Sequence, residues 1–323
     1  MAGADLRSDF WMSEYITPWD VYAHGVKAVL AHCKTPYQEM FIVDTESYGK
    51  ALILDGKWQS AVGDEFLYHE AIAHPAMILH GQPRKVLILG GGEGATAREV
   101  LRWSTVERVV MVDIDGQVVK ACREHLPEMH QNAFDDPRLE LVIGDALDFL
   151  ADTHETWDVV ISDLTDPIES GPAFQLFTQE HYQQVKQVLA PNGVLSLQAG
   201  PISTPELYLH ARLVKTVSSV FACAQTCLCP AMSFGCPIAF IVASPQPFSL
   251  PTDPAPIDQL LSAKVTGRLR AVDGVAMMGL LHVPLYIREA IANETEIYTL
   301  TAPPDPIGRG SMQSDLNPEA NPC

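Results

Sequence analysis

The chain has 323 residues, 47% of them apolar, which is enough for a large buried core in one or two domains. Its 40 acidic and 21 basic residues leave a formal charge of −19 and argue against nucleic-acid binding, which needs a basic surface. The acidity either aids solubility or draws a cationic ligand. No run of about 18 apolar residues occurs, and the opening MAGADLRSDFW has neither the basic nor the apolar region of a secretory signal. A cytoplasmic enzyme with no membrane partner is therefore expected.

Residues 1–82 read as a helical start followed by short strands at 41–43 and 51–54, with Asp55-Gly56 as a hairpin turn. Apolar positions at helical spacing over 65–80 predict a helix that Pro75 interrupts. From Arg84 the rhythm changes. KVLIL (85–89) is a buried strand closed by glycines, followed by helix 95–103, strand 109–112, helix 117–125 and strand 139–143. Strand 158–162, helix 179–189, strand 194–198, helix 206–221 and strand 238–243 continue the alternation. Continuous apolar strands between helices predict a mostly parallel, Rossmann-like α/β sheet covered on both faces, over 83–301. Residues 244–257 read as a proline-rich surface connection, 258–300 as foldable sequence, and 302–323 as a disordered tail carrying Cys323. Four of the seven cysteines, Cys223, Cys227, Cys229 and Cys236, lie in and after a strand-like stretch. They lack the paired C-x-x-C of zinc folds and read as buried thiols.

The strand KVLIL runs into Gly90-Gly91-Gly92-Glu93-Gly94 and then a helix. Glycine permits the tight turn and lets a ligand approach the backbone. Asp113 ends the next strand about twenty residues on, where an acid holds ribose hydroxyls. The spacing G-x-G-x-G departs from the dinucleotide fingerprint and suits an adenosyl nucleoside pocket. Asp145, at the end of the third strand, either accepts from an adenine amino group or caps the helix that begins at Ala146. A carboxylate at Glu93 would repel a phosphate. It is either a solvated turn residue or a partner for a ligand with an ammonium tail.

The fourth strand ends Ile161-Ser162-Asp163-Leu164-Thr165-Asp166-Pro167. Ligands in open α/β sheets bind at the carboxyl ends of strands, so Asp163 and Asp166 face the crevice of the glycine turn. An alkyl amine is protonated at neutral pH and must lose a proton before it attacks. One carboxylate can take that proton while the other holds a neighbouring ammonium. Alternatively, Asp166 only caps the turn before Pro167.

In order, LDGKWQSAVGDEFLYHE, VLILGGGEGATARE, VDID, GDA and DLTDP resemble the spermidine/spermine synthase family, the aminopropyltransferases, over residues 10–300. The resemblance implies an N-terminal β-domain over 1–82 before the Rossmann-like, class I methyltransferase-like domain, and a homodimer or homotetramer. It implies decarboxylated S-adenosylmethionine as co-substrate and donor, no prosthetic group and no metal, a polyamine acceptor, and methylthioadenosine as the second product. By the same resemblance Asp163 is the catalytic base and Asp166 holds the acceptor amine. Glu93 binds the donor's aminopropyl ammonium, Asp113 the ribose, and Asp145 with Ala146 the adenine. Gln38 binds the donor, Tyr68 and His69 lie on the acceptor side, and Gln59 and Gln198 are pocket glutamines. Gly90 and Gly92 belong to the donor turn. Within the family the GGGEG turn, DL-x-DP, the long IESGPAFQLFT segment and NETEIYT are most similar to plant-type thermospermine synthases, which use spermidine. Two departures bear on the acceptor. Thr165 stands where those relatives often have alanine, and residues 231–237 offer no clear match to a tyrosine that spermidine synthases use. Two other functions compete with this one: a methyltransferase using intact S-adenosylmethionine, which Glu93 disfavours, and a catalytically dead polyamine sensor, which the Asp163/Asp166 pair disfavours.

Overall fold

The computed structural model describes residues 8–17, 19–165 and 172–302. Where a helical start was expected, the described residues from Phe10 on are sheet instead. Strands β1 (Phe10–Thr17), β2 (Asp20–Lys34), β3 (Glu39–Thr45), β4 (Gly49–Leu54) and β5 (Lys57–Ala61) form an antiparallel meander. Along β2, Tyr22, His24 and Val26 share one face at the two-residue spacing of a strand. His24 stacks on Trp58 with ring centroids 3.8 Å apart. In β4, Leu52 and Leu54 pack with Met40 and Ile42 toward the second domain, while Ala51 and Ile53 face Val26 and Trp58. Asp55 and Gly56, at φ 48° and 73°, make the expected tight hairpin between β4 and β5.

Helix α1 (Glu65–His80) runs unbroken through Pro75, so the expected interruption does not occur. Pro75 has no N–H for the carbonyl of Ala71. The Cys227 thiol lies 3.9 Å from that oxygen, and the Ser196 hydroxyl donates to the next carbonyl, that of Ile72, at 2.6 Å. Both side chains come from the second sheet, on which α1 packs. By packing, α1 therefore belongs with that sheet, and not with the strands of 1–82.

The second sheet contains β6 (Lys85–Gly90), β7 (Arg108–Asp113), β8 (Leu139–Ile143), β9 (Trp157–Asp163), β10 (Leu189–Pro201), β11 (Cys223–Cys229) and β12 (Ile238–Ser244). Their order is β11-β12-β10-β9-β6-β7-β8, and only β12 runs against its neighbours. The helices between them are α2 (Ala95–Leu101), α3 (Gly116–His125), α4 (Pro127–His130), α5 (Ala146–Asp152), α6 (Gln179–Val188) and α7 (Leu207–Ser218). Val86 and Ile88 face α1 and α2, whereas Leu87 and Leu89 face the layer of α5, α6 and α7. Burial on both faces is why these strands read as unbroken apolar runs.

After the proline-rich connection, α8 (Ala255–Lys264), α9 (Gly274–Leu281) and α10 (Leu285–Asn293) close the described chain. Cys227, Cys229 and Cys236 are buried, Cys223 is half-buried, and none of the four is in a disulfide. Of the expected disordered tail over 302–323, Ala302 is described and pairs with Thr299, and residues 303–323 lie outside the described residues. Among the described residues no single helix is long and apolar enough to cross a membrane.

Candidate active site

Strand order reverses between β6 and β9, the position at which an open α/β sheet leaves a crevice. Gly90 and Asp163 are register partners at that reversal. Gly90 has φ 83°, and a Cβ on it would sit 2.2 Å from the Asp163 carbonyl oxygen. The N–H of Gly91 donates to the same oxygen at 3.0 Å. Glycine alone lets the two strand ends close together here. Gly92 meets a second limit, since a Cβ there would lie 2.8 Å from Asp113 Oδ2.

A cleft of about 290 Å³ opens above this junction, between the two sheets. Gln38 and Gln59 line it from the N-terminal sheet, and Tyr68 from α1. Gly90, Gly92, Glu93, Asp113, Asp145, Ala146 and Asp163 line it from the second sheet. The aligned residues thus converge on one space although they are spread from position 38 to position 163. Two sequence-based candidates stand apart. His69 is fully buried behind Glu93 and not on the cleft wall, because both its ring nitrogens are engaged within the protein. Gln198, in β10 opposite Phe240, is likewise not among the lining residues. Asp166 lies outside the described residues.

Asp163 is held by two hydroxyls. Tyr68 Oη donates to Oδ1 at 2.7 Å and Thr96 Oγ1 to Oδ2 at 2.6 Å. Burial, and then the Glu93 carboxylate, raise the Asp163 pKa above the usual carboxylate range, while His69, Thr96 and Tyr68 act to lower it. Each carboxylate oxygen keeps a second lone pair, so both donors can stay in place while the group takes a proton. Burial acts to raise Glu93 as well, but the His69 ring on Oε1 at 2.9 Å outweighs it and holds Glu93 below its ordinary value. Asp113 is pushed up to about 6, by burial first and by the charges of Glu93, Asp115 and Asp163.

The Asp145 alternatives turn out to be compatible. Its Oδ1 accepts from the Leu147 N–H at 2.7 Å and caps α5, and the residue also lines the cleft. Gln38 is steadied across the domain boundary, its Nε2 donating to Asp115 Oδ2 at 3.2 Å. Asp115 in turn caps α3 through the N–H groups of Gln117 and Val118.

The Spermine/spermidine synthase domain matches residues 65–249, and the Spermidine synthase tetramerisation domain matches residues 10–61. The chain belongs to the spermine/spermidine synthase family. A polyamine aminopropyltransferase of Synechococcus sp. (strain JA-2-3B'a(2-13)) is 55% identical, over 92% of this chain and 98% of its own. Thermospermine synthase ACAULIS5 of Arabidopsis thaliana is 36% identical, over 90% of this chain and 85% of its own. A spermidine synthase solved in complex with the transition state analogue AdoDATO superposes with TM-score 0.81 at 28% identity, over 89% of this chain and 97% of that one.

In this family member, the acids are held in place by Thr96, which sequence reasoning left without a role, and by Tyr68 and His69, which it placed on the acceptor side. Thr96 was missed; its signal is a hydroxyl in the first turn after the glycines, facing a strand-end carboxylate. Tyr68, His69 and Glu70 are consecutive on a helix buried all round, and each secures a different element. Tyr68 holds Asp163 and His69 holds Glu93. The Glu70 carboxylate accepts from the backbone N–H groups of Arg270, Ala271 and Val272, at 2.7–3.1 Å. Among the described residues, no group of three or more His, Cys, Asp or Glu side chains is arranged to hold a metal ion.

Proposed function

We propose that this enzyme moves the aminopropyl group of decarboxylated S-adenosylmethionine to spermidine, giving thermospermine and methylthioadenosine. The observation that carries the transfer chemistry is the pair of buried carboxylates at the strand reversal: Asp163 with raised basicity, and Glu93 held ionised beside it. The donor's adenine lies by Asp145 and Ala146, its ribose on Asp113, and its tail ammonium on Glu93. Gln38 and Gln59 close the pocket from the N-terminal sheet. Asp163 removes a proton from a terminal amine of spermidine, and Asp166 holds the neighbouring ammonium. The freed amine displaces methylthioadenosine at the carbon beside the sulfonium, in line and without a covalent enzyme intermediate. Positioning and charge complementarity supply most of the acceleration.

Spermidine as acceptor is supported by the 36% identity to the plant thermospermine synthase. Phe234, which stacks on Tyr68 with ring centroids 5.5 Å apart, favours a changed acceptor pocket. An apolar ring thus stands in the loop where a tyrosine counterpart is missing. The enzyme is expected to assemble as a homodimer or homotetramer. The tetramerisation domain it contains and the exposed apolar residues Tyr15, Trp19 and Val21 on and beside β1 and β2 favour that assembly. Chromatographic separation of the tetraamines, with putrescine and spermidine offered in competition, tests the acceptor. Thermospermine is the expected product, and spermine or spermidine in its place would overturn the assignment of the acceptor.

Donor binding should also depend on pH. Asp113 titrates at about 6, so its carboxylate is present above that pH and is lost as pH falls through it. The KM for the donor should rise on the order of tenfold between pH 7 and pH 5. The rise should vanish in Asp113→Asn, and a wild-type KM that stays flat would remove Asp113 from the ribose site.

A further inference from the structure

His69 is the one histidine in direct contact with a cleft acid among the described residues, and its surroundings restrict its protons. Nδ1 lies 2.8 Å from both the main-chain oxygen and the Oε2 of Glu65, and Nε2 lies 2.9 Å from Glu93 Oε1. All three are acceptors. A neutral imidazole carries a single N–H, so one of the two sides would be left with lone pair against lone pair. A second proton must sit either on the ring or on a carboxyl. Arg98 forks both oxygens of Glu65, at 3.1 and 2.8 Å, which keeps that group a carboxylate. Between the ring and Glu93, burial favours a neutral ring, but the two carboxylates outweigh it and hold the imidazole up at about 10.

The clamp is braced from behind. Arg98 Nε donates to Glu99 Oε1 at 2.7 Å, and Glu99 Oε2 meets His74 Nε2 at 3.0 Å and Arg102 Nε at 3.2 Å. On the cleft side, Glu93 shares its space with Asp113 and Asp163. Buried like charges raise one another's affinity for protons. Without a cation behind it, Glu93 would be a candidate to take a proton, and a neutral acid cannot pair with an ammonium.

We propose that His69 is a positioning residue: an imidazolium clamped between Glu65 and Glu93 that keeps Glu93 ionised for pairing with the ammonium tail of the donor. The proposal rests on the donor assignment given above. It differs from a role for His69 at the acceptor, because the ring never reaches the cleft.

The test compares two ligands that differ in the tail. Decarboxylated S-adenosylmethionine carries the aminopropyl ammonium and a sulfonium, and methylthioadenosine lacks both charges. By calorimetry on the full chain, His69→Gln should weaken donor binding about tenfold or more. It should leave methylthioadenosine within roughly twofold, since the nucleoside pocket is untouched. Unchanged donor affinity, or equal losses for both ligands, would overturn the proposal. Glu93→Gln serves as the control: if it fails to separate the two ligands, the donor assignment itself falls. If it separates them and His69→Gln does not, only the role of His69 falls. Should His69→Gln not accumulate as folded protein, Glu65→Gln carries the test. That variant keeps the imidazole but removes the inner charge, so the same split is expected to a smaller degree, and equal losses again overturn the proposal.

Discussion

Asp163→Asn should lower turnover by roughly 10²- to 10⁴-fold, the range that a positioned general base contributes, while donor affinity changes by no more than a few-fold. Asparagine is nearly isosteric, so the packing at the Gly90 junction is preserved. Its amide cannot take the proton that the acceptor amine must lose. Tyr68 and Thr96 would also compete for a single carbonyl oxygen, where the carboxylate offers each its own. Single-turnover measurement of methylthioadenosine release, beside equilibrium binding of the donor, separates the two effects. Near-normal turnover would mean that the proton goes elsewhere and that the raised basicity of Asp163 serves only the local charge balance. The wild-type profile carries the same sign. Because the Asp163 pKa is raised, the active base form is depleted as pH falls, and turnover should decline on the acid side.

Glu93→Gln should affect binding and selectivity more than chemistry. A charge-assisted hydrogen bond at a buried site contributes about 1.5–3 kcal/mol, or roughly 10- to 150-fold in affinity. The donor KM should rise by that factor. The preference for the decarboxylated donor over intact S-adenosylmethionine should shrink with it, because the repulsion between Glu93 and the intact donor's carboxylate disappears as well. The substitution also leaves the His69 imidazolium facing a neutral amide, so part of the loss reflects an under-compensated cation. Inhibition constants for the two donors on the variant and the wild type provide the measurement. A preserved ratio would show that the tail is recognised by another group.

How far the site could be read from residues alone varied with the kind of evidence each residue left. The Rossmann-like half was legible because β6, β7, β9 and β10 carry apolar runs buried on both faces, each strand from β6 to β10 is followed by a helix, and that local pattern survives without tertiary information. Asp113, Asp145 and Asp163 stood out as acids at the ends of such runs. The N-terminal strands were less legible. Along β2, inward Tyr22, His24 and Val26 alternate with exposed Val21 and Ala23, and the register slips twice against β3. That irregularity blurs the two-residue period, so a helical start was expected. Pro75 misled for another reason. The carbonyl it leaves without a helical donor is approached by Cys227, which lies 156 residues away in sequence.

By itself, the order of strands, glycine turn and strand-end acids determined the fold class, the place of the adenosyl pocket, and the acidic character that suits a cationic donor. Those are consequences of local pattern and backbone sterics. Only the tertiary structure decided what holds each acid. In α1, Tyr68 and His69 are neighbours in a helix that is buried all round, and no periodicity says which of them meets Asp163 and which meets Glu93. Packing turns Tyr68 onto the Asp163 carboxylate and seats His69 behind Glu93, between two charges that the sequence sets four residues before it and twenty-four residues after it.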